Sequence, residues 1–207
     1  MSRALRRRSA LIAGAPAAVA ALAACGAAQG GEVLLSDPAH AVLALSDLGT
    51  PGFTTLEPPH TVTVTVCEAH SNTADQLRQN SLQLCAEARY FRYVDAALSN
   101  GPIDVSSSVE SFPTATSAAA AFAGQAATLT HAAGAEPISA GLLGDDRVAV
   151  ELSRPGPASL PLVQFSVLWR VADLVAEIVV RGRSGAVRVE DAVLLAQRQT
   201  ARELTAG

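Results

Sequence analysis

The chain has 207 residues, of which 49% are hydrophobic, 4% aromatic and 16% charged, and its 15 basic residues, all arginine, stand against 19 acids. That profile excludes a disordered polar chain, and at this length one core can bury roughly 70% of the unfolded surface, so no disulfide scaffold is needed. A net charge of −4, with no block of like charges beyond the first few residues, excludes the basic stripe of a nucleic-acid-binding protein.

The N-terminus divides into a basic start (Arg3, Arg6, Arg7, Arg8), an apolar stretch from Ala10 to Ala24, and the tetrapeptide Leu22-Ala23-Ala24-Cys25. This is the order of an export signal. The apolar stretch contains Gly14 and Pro16 and falls short of the roughly 20 residues a membrane span requires. Leu22-Ala23-Ala24-Cys25 closely resembles the lipobox of bacterial lipoproteins. The resemblance implies that the Cys25 thiol is diacylglycerated with fatty acids such as palmitate, and that cleavage leaves Cys25 as the first mature residue. Two or more acyl chains anchor a protein stably where one does not. An ordinary secretory peptide with a nearby cysteine and a cytosolic protein with an apolar N-terminal helix are the alternatives. Arg6-Arg7-Arg8 is compatible with twin-arginine export, although Ser9-Ala10-Leu11 departs from that consensus.

Residues 1–24 are accordingly read as a lipoprotein signal peptide, 25–36 as the lipidated cysteine with a flexible Gly-rich tether, and 37–207 as a single α+β domain. Without residues 1–24 the chain carries 11 arginines against 19 acids, a net charge of −8. Such a surface is repelled by anionic headgroups and by nucleic acid, so the expected membrane contact is the lipid on Cys25.

Along the domain, Asp37-Pro38 reads as a helix start, with Ala39 to Leu48 a short helix ended by Gly49-Thr50-Pro51-Gly52. Phe53 to Pro58 is extended. Thr61 to Val66 alternates strictly and predicts a strand with Val62, Val64 and Val66 on one face. Thr73 to Cys85 has helical character. Cys67 and Cys85 are expected to pair in an oxidising compartment. Cys67, His70 and Cys85 would supply only three of the four ligands a structural zinc needs, and two unpaired buried thiols are the remaining alternative. Arg89 to Val94 and Ile103 to Phe112, separated by Asn100-Gly101, read as a hairpin.

Thr116 or Ser117 should cap an alanine-rich helix to Ala133, with Ala118, Ala121, Phe122, Ala126 and Leu129 inward and Gly134 closing it. Ile138 to Leu143 is a strand. The turn Gly144-Asp145-Asp146 leads to a strand over Arg147 to Ser153, and Pro155-Gly156-Pro157 breaks the chain. Leu162 to Val171 and Leu174 to Val180 alternate around Ala172-Asp173 and form an antiparallel hairpin at the centre of the sheet. Val189 to Leu204 is a helix with Val189, Ala192, Val193 and Ala196 inward and Arg188, Gln197, Arg198 and Arg202 facing water.

The fold class expected is α+β, a mainly antiparallel twisted sheet with helices packed on its faces. Together with the lipobox, this element order, with Gly144-Asp145-Asp146, Trp169-Arg170 and the closing helix, resembles the small α/β/α sandwich lipoproteins of high-GC Gram-positive bacteria, similar in fold to the Mog1/PsbP family. The resemblance implies a binding or accessory domain and carries no catalytic residues over.

No catalytic motif is present: His40, His60, His70 and His131 lie in no recognised pattern, Ser184 reads as a turn residue, and Walker and dinucleotide glycine loops are lacking. Neither a metal nor a cofactor is expected; Asp145-Asp146 with Glu151 reads as a solvated turn. Tyr90, Phe91, Tyr93 and Trp169 could line a cleft between sheet and helix or simply pack the core, and Arg170 could clamp an anion or else pair with a neighbouring acid or face water. The function expected is that of a lipid-anchored extracytoplasmic domain, not an enzyme, that binds a small apolar ligand or a partner protein. The alternatives are a structural or assembly factor of an envelope complex, and an envelope enzyme in which His70 or His131 meets two acids in one pocket.

Overall fold

The computed structural model describes residues 37–71, 73–95, 99–154 and 161–206. Cys25, the tether and Pro155-Gly156-Pro157 lie outside the described residues. Seven strands form one antiparallel sheet: β1 (Phe53–Val62), β2 (Leu84–Arg92), β3 (Asp104–Ser111), β4 (Ala135–Ile138), β5 (Asp146–Arg154), β6 (Leu162–Val171) and β7 (Leu174–Arg183), in the order β1-β2-β3-β7-β6-β5-β4. The helices are α1 (Val64–His70), α2 (Ala74–Gln79), α3 (Ala115–Thr130) and α4 (Val189–Ala206). The α+β class is as expected, and the β6–β7 hairpin brings β7 to the middle of the sheet.

The alternation of β6 and β7 assigns the two faces. Val163, Phe165, Val167 and Trp169 with Leu174, Ala176, Ile178 and Val180 join the main core beneath α4. From α4 itself come Ala192, Leu195 and Ala196. Glu190 and Asp191 occupy its first turn, where the helix dipole favours negative charge, and the Asp191 carboxylate accepts the Arg188 N–H at 2.9 Å. On the other face α3 crosses from the end of β3 to the far edge strand β4. Its Ala118 and Ala121 are buried, with Phe122, Ala126 and Leu129 packed on a second, smaller core.

Several elements differ from expectation for identifiable reasons. The strand expected over Thr61 to Val66 stops at Val62, and Val64 to His70 is helical. Val62 pairs with Cys85. Had the strand continued, Cys67 would lie roughly 17 Å further along, whereas a disulfide needs Cα atoms within about 7 Å. The helix folds the chain back, and Cys67 is bonded to Cys85 with the Cα atoms 6.5 Å apart. The helix expected from Thr73 to Cys85 ends at Gln79, and Cys85 lies on β2.

The expected helix Ala39 to Leu48 is instead two single 3-10 turns, Pro38–His40 and Leu45–Asp47. Between them Ala41, Val42 and Leu43 are all buried, which one side of a continuous helix could not achieve. The Asp37 carboxylate does cap the first turn, accepting the Ala39 N–H at 3.0 Å. The expected hairpin forms, β2 pairing antiparallel with β3, and Ile103 bonds both neighbours, accepting from the Arg92 N–H and donating to the Arg181 carbonyl of β7. The cap of α3 is Thr114, accepting the Ser117 N–H at 3.1 Å. The strand expected over Ile138 to Leu143 is Ala135–Ile138, after which Ala140 and Leu143 turn into the main core. On α4, Arg198 and Arg202 do not simply face water: Arg198 donates to the Asp47 carbonyl and Arg202 pairs with the Asp47 carboxylate at 3.2 Å.

Candidate functional site

On the α4 face β3 contributes Val105 and Val109 to the core; on the other face it carries Asp104, Ser106, Ser108 and Glu110. The neighbouring strands do the same. Glu87 and Arg89 stand on β2, Glu177 and Arg181 on β7, and Gln164 and Ser166 on β6. Because α3 and α1 cover only part of this face, these side chains line a cleft of about 1270 Å³. Its remaining walls include Gln125, Thr128 and Leu129 of α3, with Cys67 at one end.

Register places the charges. Ser108 stands between Glu87 on β2 and Glu177 on β7. Glu110 pairs with Cys85 and with Val175, which makes it the diagonal neighbour of both glutamates. Such diagonal positions lie roughly 7–8 Å apart. Toward the other end Asp104 opposes Arg181, and its carboxylate holds two guanidiniums, Arg89 at 2.8 Å and Arg181 at 3.5 Å. That pairing raises the Arg89 pKa further.

The glutamates have weaker compensation. Burial pushes the Glu110 carboxyl up to about 7, against the lowering effect of the Gln125 amide, which donates to it at 2.6 Å; Glu177 and Glu87 push the same way as burial. Burial likewise raises Glu177 to about 7, opposed by Arg181 and by a hydrogen bond with Ser166. Both carboxylates sit deep in the cleft yet keep part of their surface open to it. Among the described residues no three His, Cys, Asp or Glu side chains converge closely enough to hold a metal ion.

The residues expected to bind a ligand are not brought together here. Tyr90 and Trp169 are fully buried on the opposite face of the sheet. The Tyr90 hydroxyl donates to the Leu43 carbonyl at 2.6 Å, and burial pushes its pKa up to about 12. The Trp169 indole donates to Glu203 at 3.2 Å. Tyr93 is 71% exposed and stacks edge-on against Phe91. Arg170 is spent on the turn after β6 and the one before β5, paired with Asp145 at 3.2 Å and Asp146 at 2.7 Å while donating to the Ala172 carbonyl. None of the four lines the cleft.

The cleft residues did leave a trace in the sequence. Gln164 and Ser166 interrupt Leu162-Val163-Gln164-Phe165-Ser166-Val167-Leu168-Trp169, and Glu177 interrupts a second apolar run. Strands that apolar belong inside a sheet, so their polar positions face something other than open water.

A match among solved structures gives the fold a precedent. The chain resembles the crystal structure of the extracellular domain of PknH from Mycobacterium tuberculosis, with a TM-score of 0.57 over 84% of this chain and 97% of that one, at 13% identity. At that identity the likeness is one of fold. No family model and no curated protein sequence matches the chain.

Proposed function

We propose that the chain is a lipid-anchored, extracytoplasmic, non-catalytic binding domain that holds a small ligand in the cleft between α3 and the polar face of the sheet. The observation that carries this reading is the cleft itself. A mid-sheet strand carries Asp104, Ser106, Ser108 and Glu110 into a space of about 1270 Å³, somewhat above the usual size of small-molecule sites. Ligand sites concentrate convergent polar groups in such concavities, whereas a sheet face that merely packs would be apolar. The wall is charged, so the ligand is read as polar rather than apolar.

Export and anchoring rest on Leu22-Ala23-Ala24-Cys25 and its likeness to a lipobox. The fold's likeness to an extracellular domain is consistent with that address. The resemblance to α/β/α sandwich lipoproteins points the same way.

Native mass spectrometry of the exported chain, beside a Ser108→Trp variant that fills the floor of the cleft, tests the proposal. A small-molecule adduct on the wild type that the variant loses is the expected outcome. An adduct retained by a folded Ser108→Trp protein would place binding elsewhere.

A further inference from the structure

The geometry points to a ligand class: resting on the reading of the cleft as a binding site, we propose that it takes an elongated organic cation, an amine-bearing small molecule whose positive groups are held by Glu87, Glu110 and Glu177. Among the described residues five carboxylates line the cleft (Glu57, Glu87, Asp104, Glu110, Glu177) against two guanidiniums, Arg89 and Arg181. Both guanidiniums pair with the single carboxylate of Asp104. Arg181, four residues from Glu177 along β7, lowers the Glu177 pKa without forming an ion pair with it. No ion pair within 4.0 Å joins Glu87, Glu110 or Glu177 to an arginine among the described residues. The triangle these three make around Ser108 therefore holds an excess of negative charge inside the cleft.

That excess is spaced for an organic group. The glutamates do not converge as a metal site requires. A protonated amine on a chain carries several N–H donors and can bridge carboxylates on neighbouring strands. At the far end Asp104 is only 7% exposed and its Oδ1 has no hydrogen-bond partner, although the residue lines the cleft. A buried acceptor left unmatched in this way costs stability unless a donor is supplied. That atom is closed to solvent, so a ligand donor reaches it only if the Asp104 carboxylate turns toward the cleft.

The raised pKa values of Glu110 and Glu177 agree with this. Their cause is the burial of two ionisable carboxyls in the cleft, and a cation is the counter-charge that relieves that penalty. The groups facing them are Glu87 on β2, Arg181 on β7, and the uncharged Gln125 of α3 and Ser166 of β6. Protonation of the pair at low pH therefore competes with the cation.

Calorimetric titration of the full-length chain in mild detergent at about pH 8, with spermidine and with uncharged triethylene glycol, tests the class. Saturable heat with spermidine alone is expected, with affinity falling as pH drops through about 7 and falling at least about tenfold in Glu110→Gln/Glu177→Gln. The glutamines keep volume and hydrogen bonds and remove only charge, and an unchanged or raised melting temperature reports that the variant is folded. Equal binding of the glycol, or spermidine binding undiminished in the double variant, overturns the cationic class. Absence of saturable heat with either compound also overturns it, while the cleft reading itself then stands or falls on the Ser108→Trp comparison alone.

Discussion

Glu203 is 1% exposed on the face of the sheet opposite the cleft, where its Oε2 accepts the Trp169 indole N–H at 3.2 Å and its Oε1 has no partner. Burial pushes this carboxyl from 4.5 to about 7, with the hydrogen bonds from Trp169 and Gln199 pulling it back. Between those two values the folded chain binds more protons than the unfolded one, so stability falls as pH rises through the window and the full penalty stands above about 7. A shift of that size corresponds to at most roughly 3 kcal/mol. Glu203→Gln retains an acceptor for Trp169 without the charge. It should raise the melting temperature at about pH 8, leave it nearly unchanged at about pH 4, and flatten the wild-type decline between them. Glu110 and Glu177 titrate in the same window, so part of the slope persists. Melting curves for variant and wild type that stay parallel across the range would show that Glu203 is ionised in the folded protein without penalty.

Among the elements, α1 shows how tertiary constraint overrides local pattern. Thr61 to Val66 alternates as well as any strand, and nothing in those six residues says that pairing ends at Val62. The information sits in Cys67 and Cys85: once they bond, the chain after Val62 must turn back. The disulfide closes a segment of 18 residues, worth roughly 3 kcal/mol in the chain-entropy model. Cys67→Ala should therefore lower the melting temperature in non-reducing buffer, and reductant should lower the wild type to match. An unchanged melting temperature with two titratable thiols in the wild type would refute the bond. The β6–β7 hairpin was legible because apolar alternation, the Ala172-Asp173 turn and burial all agree. Gly144 was legible as part of a turn, yet its closeness to the Arg170 carbonyl was not. It adopts φ 47° and a Cβ there would strike that carbonyl, so Gly144→Ala should destabilise by roughly 2 kcal/mol or more by denaturant titration. The cleft was the least legible feature. Aromatic residues suggested a site through their chemistry, but Tyr90 and Trp169 follow the alternation of their strands into the core. Glu110 and Glu177 occupy polar positions of alternating strands and drew no reading from the sequence, because only strand order, which sequence does not carry, places them mid-sheet beneath a partial helical roof.

For the whole molecule the question is how a domain with this surface reaches a membrane. Among the described residues no helix is long and apolar enough to cross one. The chain after residue 24 carries 11 arginines against 19 acids, so anionic headgroups repel its protein surface across a Debye length of about 8 Å at physiological salt. The proposed attachment is a covalent lipid on Cys25, the residue whose setting resembles an acylation site. The two forces are separable by experiment. Detergent phase partitioning of the exported wild type should place it in the detergent phase at low and high salt alike, since acyl insertion is hydrophobic and is not screened. Cys25→Ser should move to the aqueous phase with an unchanged melting temperature, because the substitution lies outside the folded domain read from residue 37 onward. Detergent partitioning that survives Cys25→Ser would remove the lipid from the account, and partitioning abolished by salt in the wild type would replace it with an electrostatic contact that the acidic surface does not explain.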